Sequence, residues 1–224
     1  MEKYELRSCT VDDAPGLAKN NASAFWEEEW WNILWENRTL DSLIEAFTAR
    51  LPKTLLTDRS VRRHQKIVHV SSGEVVGYAR WILPESHRHE WLEAQIPDLS
   101  DQDRQRFDKA YANANFTTRG LDDMDNPVLD MLRRHRPTEP FVKLDYLGVH
   151  PDHQRKGIAS MLVRSGIQQS NRLGMSVYLV AMGRKALGMY QRLGFELLEE
   201  SVQELSKWGG RGLYETFVLI KRSS

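Results

Sequence analysis

A proline, several potential cations and a glycine fall together in 150-HPDHQRKGIASMLV-163, just before an apolar run. Those residue types at that spacing can hold an anion. Where a helix begins, the first backbone N–H groups lack internal partners and the helix dipole favours negative charge. Gly157 lets the backbone approach a ligand closely, and Arg155 and Lys156 add charge beside it. This geometry suits a pyrophosphate. It is neither of two common phosphate signatures: GxxxxGK[ST] is absent, Lys156 preceding the glycine, and so is GxGxxG. The same residues also fit an ordinary turn into a helix, because Pro151 cannot continue a strand and His150, Pro151 and Asp152 favour a turn.

The flanking segments must position this run. Residues 141–149 (FVKLDYLGV) read as the strand that delivers it, and a helix continues from it to about Asn171. SVYLVAM (176–182) reads as a second strand, 184–193 as a helix closed by Gly194, and FELLEE (195–200) as a third strand. The glycine-rich 208–212 leads into a fourth, LYETFVLIK (213–221). Upstream, residues 3–8 alternate as a short strand, and Asp12 or Asp13 caps a helix to about Phe25. Residues 25–35 read as helical, with Trp26, Trp30, Ile33 and Leu34 on one face, mainly as core and alternatively as a substrate-facing wall. A further helix over about 40–50 ends near Pro52. HQKIVHV and VVGYARWIL, within 64–83, read as two strands joined by a tight turn at Gly73. Residues 84–140 lose strand character and read as a helical insertion within a single domain spanning 1–224. The whole order predicts an α/β domain with a mixed sheet.

Composition narrows the function. The 224 residues are 41% hydrophobic and 28% charged, as in a soluble globular protein. The single cysteine, Cys9, allows no internal disulfide and no cysteine-rich metal site, so no metal is expected. No apolar stretch resembles a secretory segment or a membrane span, and a cytoplasmic location is expected. Charge is balanced, 31 basic against 31 acidic, but unevenly spread. Residues 84–140 carry 8 basic and 12 acidic residues; residues 141–224 carry 12 and 7. This split argues against general nucleic-acid binding and permits a local anion site in the last third.

The run Gln154-Arg155-Lys156-Gly157-Ile158-Ala159 resembles the Q/R-x-x-G-x-G/A motif of the GCN5-related N-acetyltransferase (GNAT) superfamily. LDYLGVHPDHQRKGIASMLV resembles that family's fourth strand, pyrophosphate loop and third helix. Downstream, Ala186, Tyr190, Gly194 and Phe195 in ALGMYQRLGF look like its second signature, A-x-x-x-Y-x-x-x-GF. The pattern is similar to a fungal branch with a helical insertion before this strand and an L…HP phrase, here 147-LGVHP-151, ahead of the loop. One departure is Gly183, where an asparagine often stands seven residues before the tyrosine. The resemblance implies a mixed, mostly antiparallel sheet flanked by helices, with the insertion before the fourth strand, and acetyl-CoA as donor to an amine.

It also implies roles. Backbone amides of Gln154, Arg155, Lys156, Gly157, Ile158 and Ala159 would hold the pyrophosphate. Backbone groups of Leu147, Gly148 and Val149 would pair with the pantetheine arm. Tyr190 would donate to the departing sulfur, since a phenol of pKa about 10 is protonated at neutral pH. Asp145, which simple alternation puts on one face with Lys143 and Leu147, would be the general base if burial raises its pKa, or else a structural carboxylate paired with an arginine. Glu27, Glu28, Glu29, His87 and His89 are further candidates, as is a water relay. Trp30, Trp31 and Trp208 would wall the acceptor pocket, and the acidic insertion favours a cationic amine. The expected partner is thus a small-molecule amine, without nucleic acid or membrane, bound by a monomer or homodimer. A protein or peptide amine as acceptor and a non-catalytic CoA sensor are the alternatives.

Overall fold

The computed structural model describes residues 3–120 and 122–223. Among the described residues there are seven strands, most of them rich in β-branched and aromatic residues: β1 (Tyr4–Ser8), β2 (Arg62–His69), β3 (Val75–Ile82), β4 (Phe141–Val149), β5 (Ser176–Met182), β6 (Glu196–Glu204) and β7 (Leu213–Lys221). They make one sheet of order β1-β2-β3-β4-β5-β7-β6. Every neighbouring pair is antiparallel except β4 and β5, which are parallel. The expected mixed, mostly antiparallel sheet is therefore present. The helices are α1 (Ala14–Ala24), α2 (Glu29–Leu34), α3 (Leu40–Leu56), α4 (Asp101–Asn113), α5 (Asp122–Arg134), α6 (Ile158–Arg172) and α7 (Arg184–Arg192). None of the described helices is long and apolar enough to cross a membrane.

Local chemistry accounts for most boundaries, and tertiary packing moves a few. Ahead of α1, the Asp13 carboxylate accepts from the Thr10 amide at 2.8 Å, so Asp13 closes a turn. α2 is shorter than the expected 25–35, and its buried residues are Trp31 and Ile33, not Trp26 and Trp30. α3 runs past Pro52 to Leu56, because Leu51 and Leu55 on that turn are buried beside Leu17 and Ala18 of α1. That burial outweighs the hydrogen bond Pro52 cannot donate. β6 extends beyond the expected 200 to Glu204, since its hairpin with β7 stays in register as far as Glu204 opposite Leu213.

The two sheet faces have different covers. On one, α6 and α7 bury Val142, Leu144, Ile158, Leu162, Leu179 and Leu187 in the main core. Close approach here demands glycine. A Cβ on Gly77 would lie 2.6 Å from Ile158 Cγ2, and one on Gly166 would lie 2.1 Å from the Trp81 ring. Gly166→Ala gains about 1 kcal/mol of helix propensity, but the clash is over an ångström deep. We expect a net loss of about 1–3 kcal/mol, read as a melting temperature lower by roughly 3–10 °C.

The opposite face is covered in two pieces. α1 lies over β3 and β4 and α3 packs against α1, with Tyr78 and Tyr146 in their cluster. The segment 84–140 contributes the rest. α4 packs beside α3, with Lys53 paired to Asp108 at 2.8 Å. α5 lies over β5, β7 and β6, burying Met131 with Tyr178, Val218 and Ile220. β4 therefore sits at the seam between the two covers.

Candidate active site

The chain leaves β4 at Val149, passes through one 3-10 turn (Pro151–His153) and enters α6. Two left-handed residues stand in the connection, Arg155 with φ 58° and Gly157 with φ 83°. Such alternation turns successive N–H groups toward one concavity, which suits an anion. The first bond within α6 runs from the Met161 amide to the Gly157 carbonyl at 2.9 Å. The amides of Ile158, Ala159 and Ser160 precede it and lie at the positive end of the helix dipole. A Cβ on Gly157 would meet nothing within 4 Å, so glycine is required here by φ and not by space. The Ile158 side chain is buried against Gly77, leaving only its backbone for a ligand. The Lys156 ammonium folds back to the Asp152 carbonyl, and the Gln154 amide donates to the Val149 carbonyl at 3.3 Å.

β4 presents an open edge next to this loop. Its pairing with β5 runs only from Phe141 opposite Ser176 to Leu144 opposite Leu179. Its pairing with β3 continues to Val149, and the His150 amide still bonds to the Val76 carbonyl at 3.1 Å. Antiparallel bonding alternates, so the backbone groups of Leu147 and Val149 point away from β3 into the gap beside β5. Gly148 serves a different neighbour: a Cβ there would lie 3.3 Å from the Ala24 Cβ of α1. Asn20, fully buried in α1, secures the same end of β4. Its Nδ2 donates to the Gly148 carbonyl at 3.3 Å, and its Oδ1 accepts from the His150 amide at 3.0 Å. Sequence reasoning passed over Asn20; the available signal was an Asn-Asn pair on the buried stripe of a helix.

Tyr190 projects from α7 into the main core, in one cluster with Leu144, Ile158 and Leu179, its ring edge-on to Phe195 at 5.4 Å. Burial pushes its phenol pKa up, so the hydroxyl stays protonated. No side chain among the described residues hydrogen-bonds it. A protonated hydroxyl thus lies in the core on the α6 and α7 side of the sheet, and the concave loop follows directly on the unpaired end of β4.

This arrangement agrees with the match of residues 27–195 to the family model described as Acetyltransferase (GNAT) family. The chain belongs to the GNAT acetyltransferase family. Solved structures share the fold at low sequence identity. One is the histone acetyltransferase HPA2 and related acetyltransferase of Corynebacterium glutamicum, with TM-score 0.59 and 17% identity, covering 100% of this chain and 98% of that one. Another is the polyamine N-acetyltransferase of Drosophila melanogaster, which forms N-acetylagmatine, with TM-score 0.54 and 15% identity, covering 98% and 99%. A third is YncA of Salmonella typhimurium, solved with its cofactor acetyl-CoA, with TM-score 0.50 and 15% identity, covering 100% and 95%.

Within this GNAT chain the carboxylate expected as base has a different environment. Opposite Arg80 and Trp81 the β3–β4 register shifts, and Asp145 is the extra, bulged residue between Leu144 and Tyr146. The bulge breaks the alternation: Asp145 stays with Lys143, but Leu147 turns to the α6 face and packs with Val142 and Leu144. Asp145 Oδ2 accepts from Arg80 at 2.7 Å, and Oδ1 accepts from Lys143 at 2.8 Å. Desolvation pushes its pKa up, but the Arg80 and Lys143 cations and their hydrogen bonds outweigh that, and the carboxyl is held below the usual range. The expected rise in pKa is therefore corrected to a fall, and the pairing is that of a structural carboxylate.

The sign has a consequence for stability. A depressed folded pKa contributes stability above the unfolded value of about 3.9, which is lost as pH falls through the folded value. We expect Asp145→Asn to cost on the order of 3 kcal/mol at neutral pH, because two cations lose their partner. The variant should also lose less further stability than wild type between neutral pH and acid. Denaturant titrations at several pH values check both.

The remaining candidates separate. Trp30 and Trp208 come together with Tyr214 and Val180 at the seam, whereas Trp31 is buried with Trp35 and Leu43 and is core. Glu29 is committed to the loop before β7, accepting from the Arg211 amide at 3.0 Å, and a Cβ on Gly210 there would lie 2.4 Å from Ile33. Glu27 and Glu28 belong to the chain entering α2. His87 and His89 lie at the other end of the sheet. Their segment meets Arg63 through the Arg88 and Glu90 carbonyls, and Arg172 at the C-terminus of α6 through Glu90. α6 has 15 residues, so about 22 Å separates its ends, too far for either histidine to roof the gap. His64, which sequence reasoning missed, bonds Tyr78 at 2.8 Å but is fully buried. Burial and then Arg80 push its pKa down to about 3, which keeps it neutral.

Proposed function

We propose that this GNAT chain is an acetyl-CoA-dependent N-acetyltransferase acting on a small-molecule amine. The observation that carries the reading is the pairing of a concave, amide-rich loop at 154–159 with the unpaired edge of β4. A pyrophosphate fits the loop, and an amide-bearing arm fits the edge at Leu147 and Val149, with the Gln154 side chain leaving the Val149 carbonyl. Bound acetyl-CoA supplies the acyl group. From Val149 back to Asp145 the strand spans about 13 Å, which brings the far end of such an arm to the place where β4 and β5 meet. Tyr190, in the core on one side of the sheet, would reach it from there, and the acceptor would enter from the seam on the other side.

Two residue roles follow. Tyr190 Oη donates to the departing sulfur. A phenol with a raised pKa is a weaker acid than a thiol, whose ordinary value is about 8.5, so the hydroxyl stabilises negative charge on sulfur chiefly by hydrogen bonding. Asp145 holds Arg80 and Lys143 in place and is a weak base, and the amine proton leaves through water at the seam. The named polyamine acetyltransferase among the structural neighbours supports a small amine as acceptor. The fungal affinity rests on 84–140 and on 147-LGVHP-151 alone, and we place the protein in the cytoplasm as a monomer or homodimer.

The binding half is tested by thermal shift. At a hundred times its Kd, acetyl-CoA should stabilise the fold by about 2.7 kcal/mol; no shift at millimolar acetyl-CoA would remove the donor assignment.

A further inference from the structure

Three charged side chains meet where β4 leaves β5, and their charges do not cancel. Both oxygens of Asp145 are taken, Oδ2 by Nε and Nη2 of Arg80 at 2.7 Å and Oδ1 by Nζ of Lys143 at 2.8 Å. Two cations on one carboxylate leave one unit of positive charge. The group lies on the seam face, where Lys143 stands opposite Tyr178 of β5 and Arg80 lies beside the Tyr146 ring. It is neither sealed nor fully wet: the Lys143 side chain is 35% exposed, that of Arg80 21% and that of Asp145 16%.

Several acids of the segment 84–140 are committed to other cations. Asp98 pairs with Arg59 and Arg104, Asp108 with Lys53 and Asp130 with Arg133. Asp108 and Arg104 sit on α4, Lys53 on α3, Asp130 and Arg133 on α5, and Arg59 and Asp98 in connecting segments. For these acids the attraction expected between an acidic insertion and a cationic acceptor is spent on cations other than Arg80 and Lys143. A surplus cation in a partly dehydrated place is unfavourable until an anion joins it.

Resting on the reading that the acetyl group is delivered along β4, we infer that the acceptor is an amine that also carries a carboxylate, held by Lys143 with Arg80 beside it. An ammonium and a carboxylate meet this group differently. The carboxylate gains a charge-assisted hydrogen bond from Lys143. The same positive field opposes the ammonium form of the amine and favours the free base, which is the form that attacks. Phe25 packs ring to ring against both Trp30 and Tyr146, the neighbour of Asp145, and this aromatic group would give the body of the acceptor an apolar contact.

Matched pairs test this: tyrosine with tyramine, histidine with histamine, and arginine with agmatine, each with acetyl-CoA and with thiol release as readout. In wild type, kcat/KM for the amino acid should exceed that for its decarboxylated partner by roughly tenfold or more. Lys143→Met should bring that ratio near one, and Lys143→Arg should restore it. A wild-type preference for the decarboxylated amines, or a ratio unmoved by Lys143→Met, overturns the inference while leaving acetyl transfer intact. Acetyl-CoA binding without turnover of either series overturns the transfer reading together with it.

Discussion

Gly157→Val should abolish detectable acetyl-CoA binding while leaving the protein folded. The residue has φ 83°, a conformation that a β-branched side chain scarcely adopts. Left-handed backbone costs an L-residue about 1–2 kcal/mol, and more for valine. The chain relieves that strain by rotating the peptide before α6. Rotation destroys the concavity made with Arg155, and it moves the amides of Ile158 and Ala159. A loss of several such contacts should weaken binding by about a hundredfold or more. The loss of stability should stay within that backbone strain, a few kcal/mol at most, because a side chain at 157 meets nothing within 4 Å. Calorimetric titration with acetyl-CoA, beside a melting curve, separates the two effects. Unchanged affinity in a folded Gly157→Val protein would mean that the loop is only a turn.

Tyr190→Phe should do the reverse: binding persists and turnover falls. The ring is buried against Phe195, and phenylalanine keeps that contact. Only the hydroxyl is lost, and no side chain among the described residues depends on it. If Tyr190 Oη stabilises charge on the departing sulfur, kcat should drop by about 10²–10³-fold, with acetyl-CoA affinity within a factor of about two. A residual rate is expected because water can protonate a thiolate, which is a good leaving group. Wild-type turnover in the variant would make Tyr190 a packing residue.

The strand, loop and first turn of α6 were legible because their signals are local. Pro151 ends β4, Gly157 takes the left-handed position, and the apolar run sets the buried face of the helix. Asp145 was legible as a residue of interest and misread as a titrating group. Arg80, its main partner, lies 65 residues earlier in the chain, and the bulge that seats it leaves no mark in a single strand's alternation. The same bulge moved Leu147 to the other face. The buried face of α2 was read as Trp30 where it is Trp31, because a helix of six residues gives too few turns for its stripe to be fixed by period. Asn20 was missed because a polar residue inside a helix carries no sign of the strand end it will hold. The acidic bias of 84–140 was real, but Glu85, Glu90, Asp98, Asp103, Asp108 and Asp130 pair with cations of the chain, which composition cannot show.

The central claim is that this chain moves an acetyl group from acetyl-CoA to an amine held at the seam. The most direct measurement follows free thiol and product mass together, with acetyl-CoA and a panel of amino acids, polyamines, arylalkylamines, aminoglycosides and peptides. The account predicts thiol release that requires a small amine, with one N-acetylated product formed per thiol. Tight acetyl-CoA binding with no amine-dependent thiol release across the panel would contradict it.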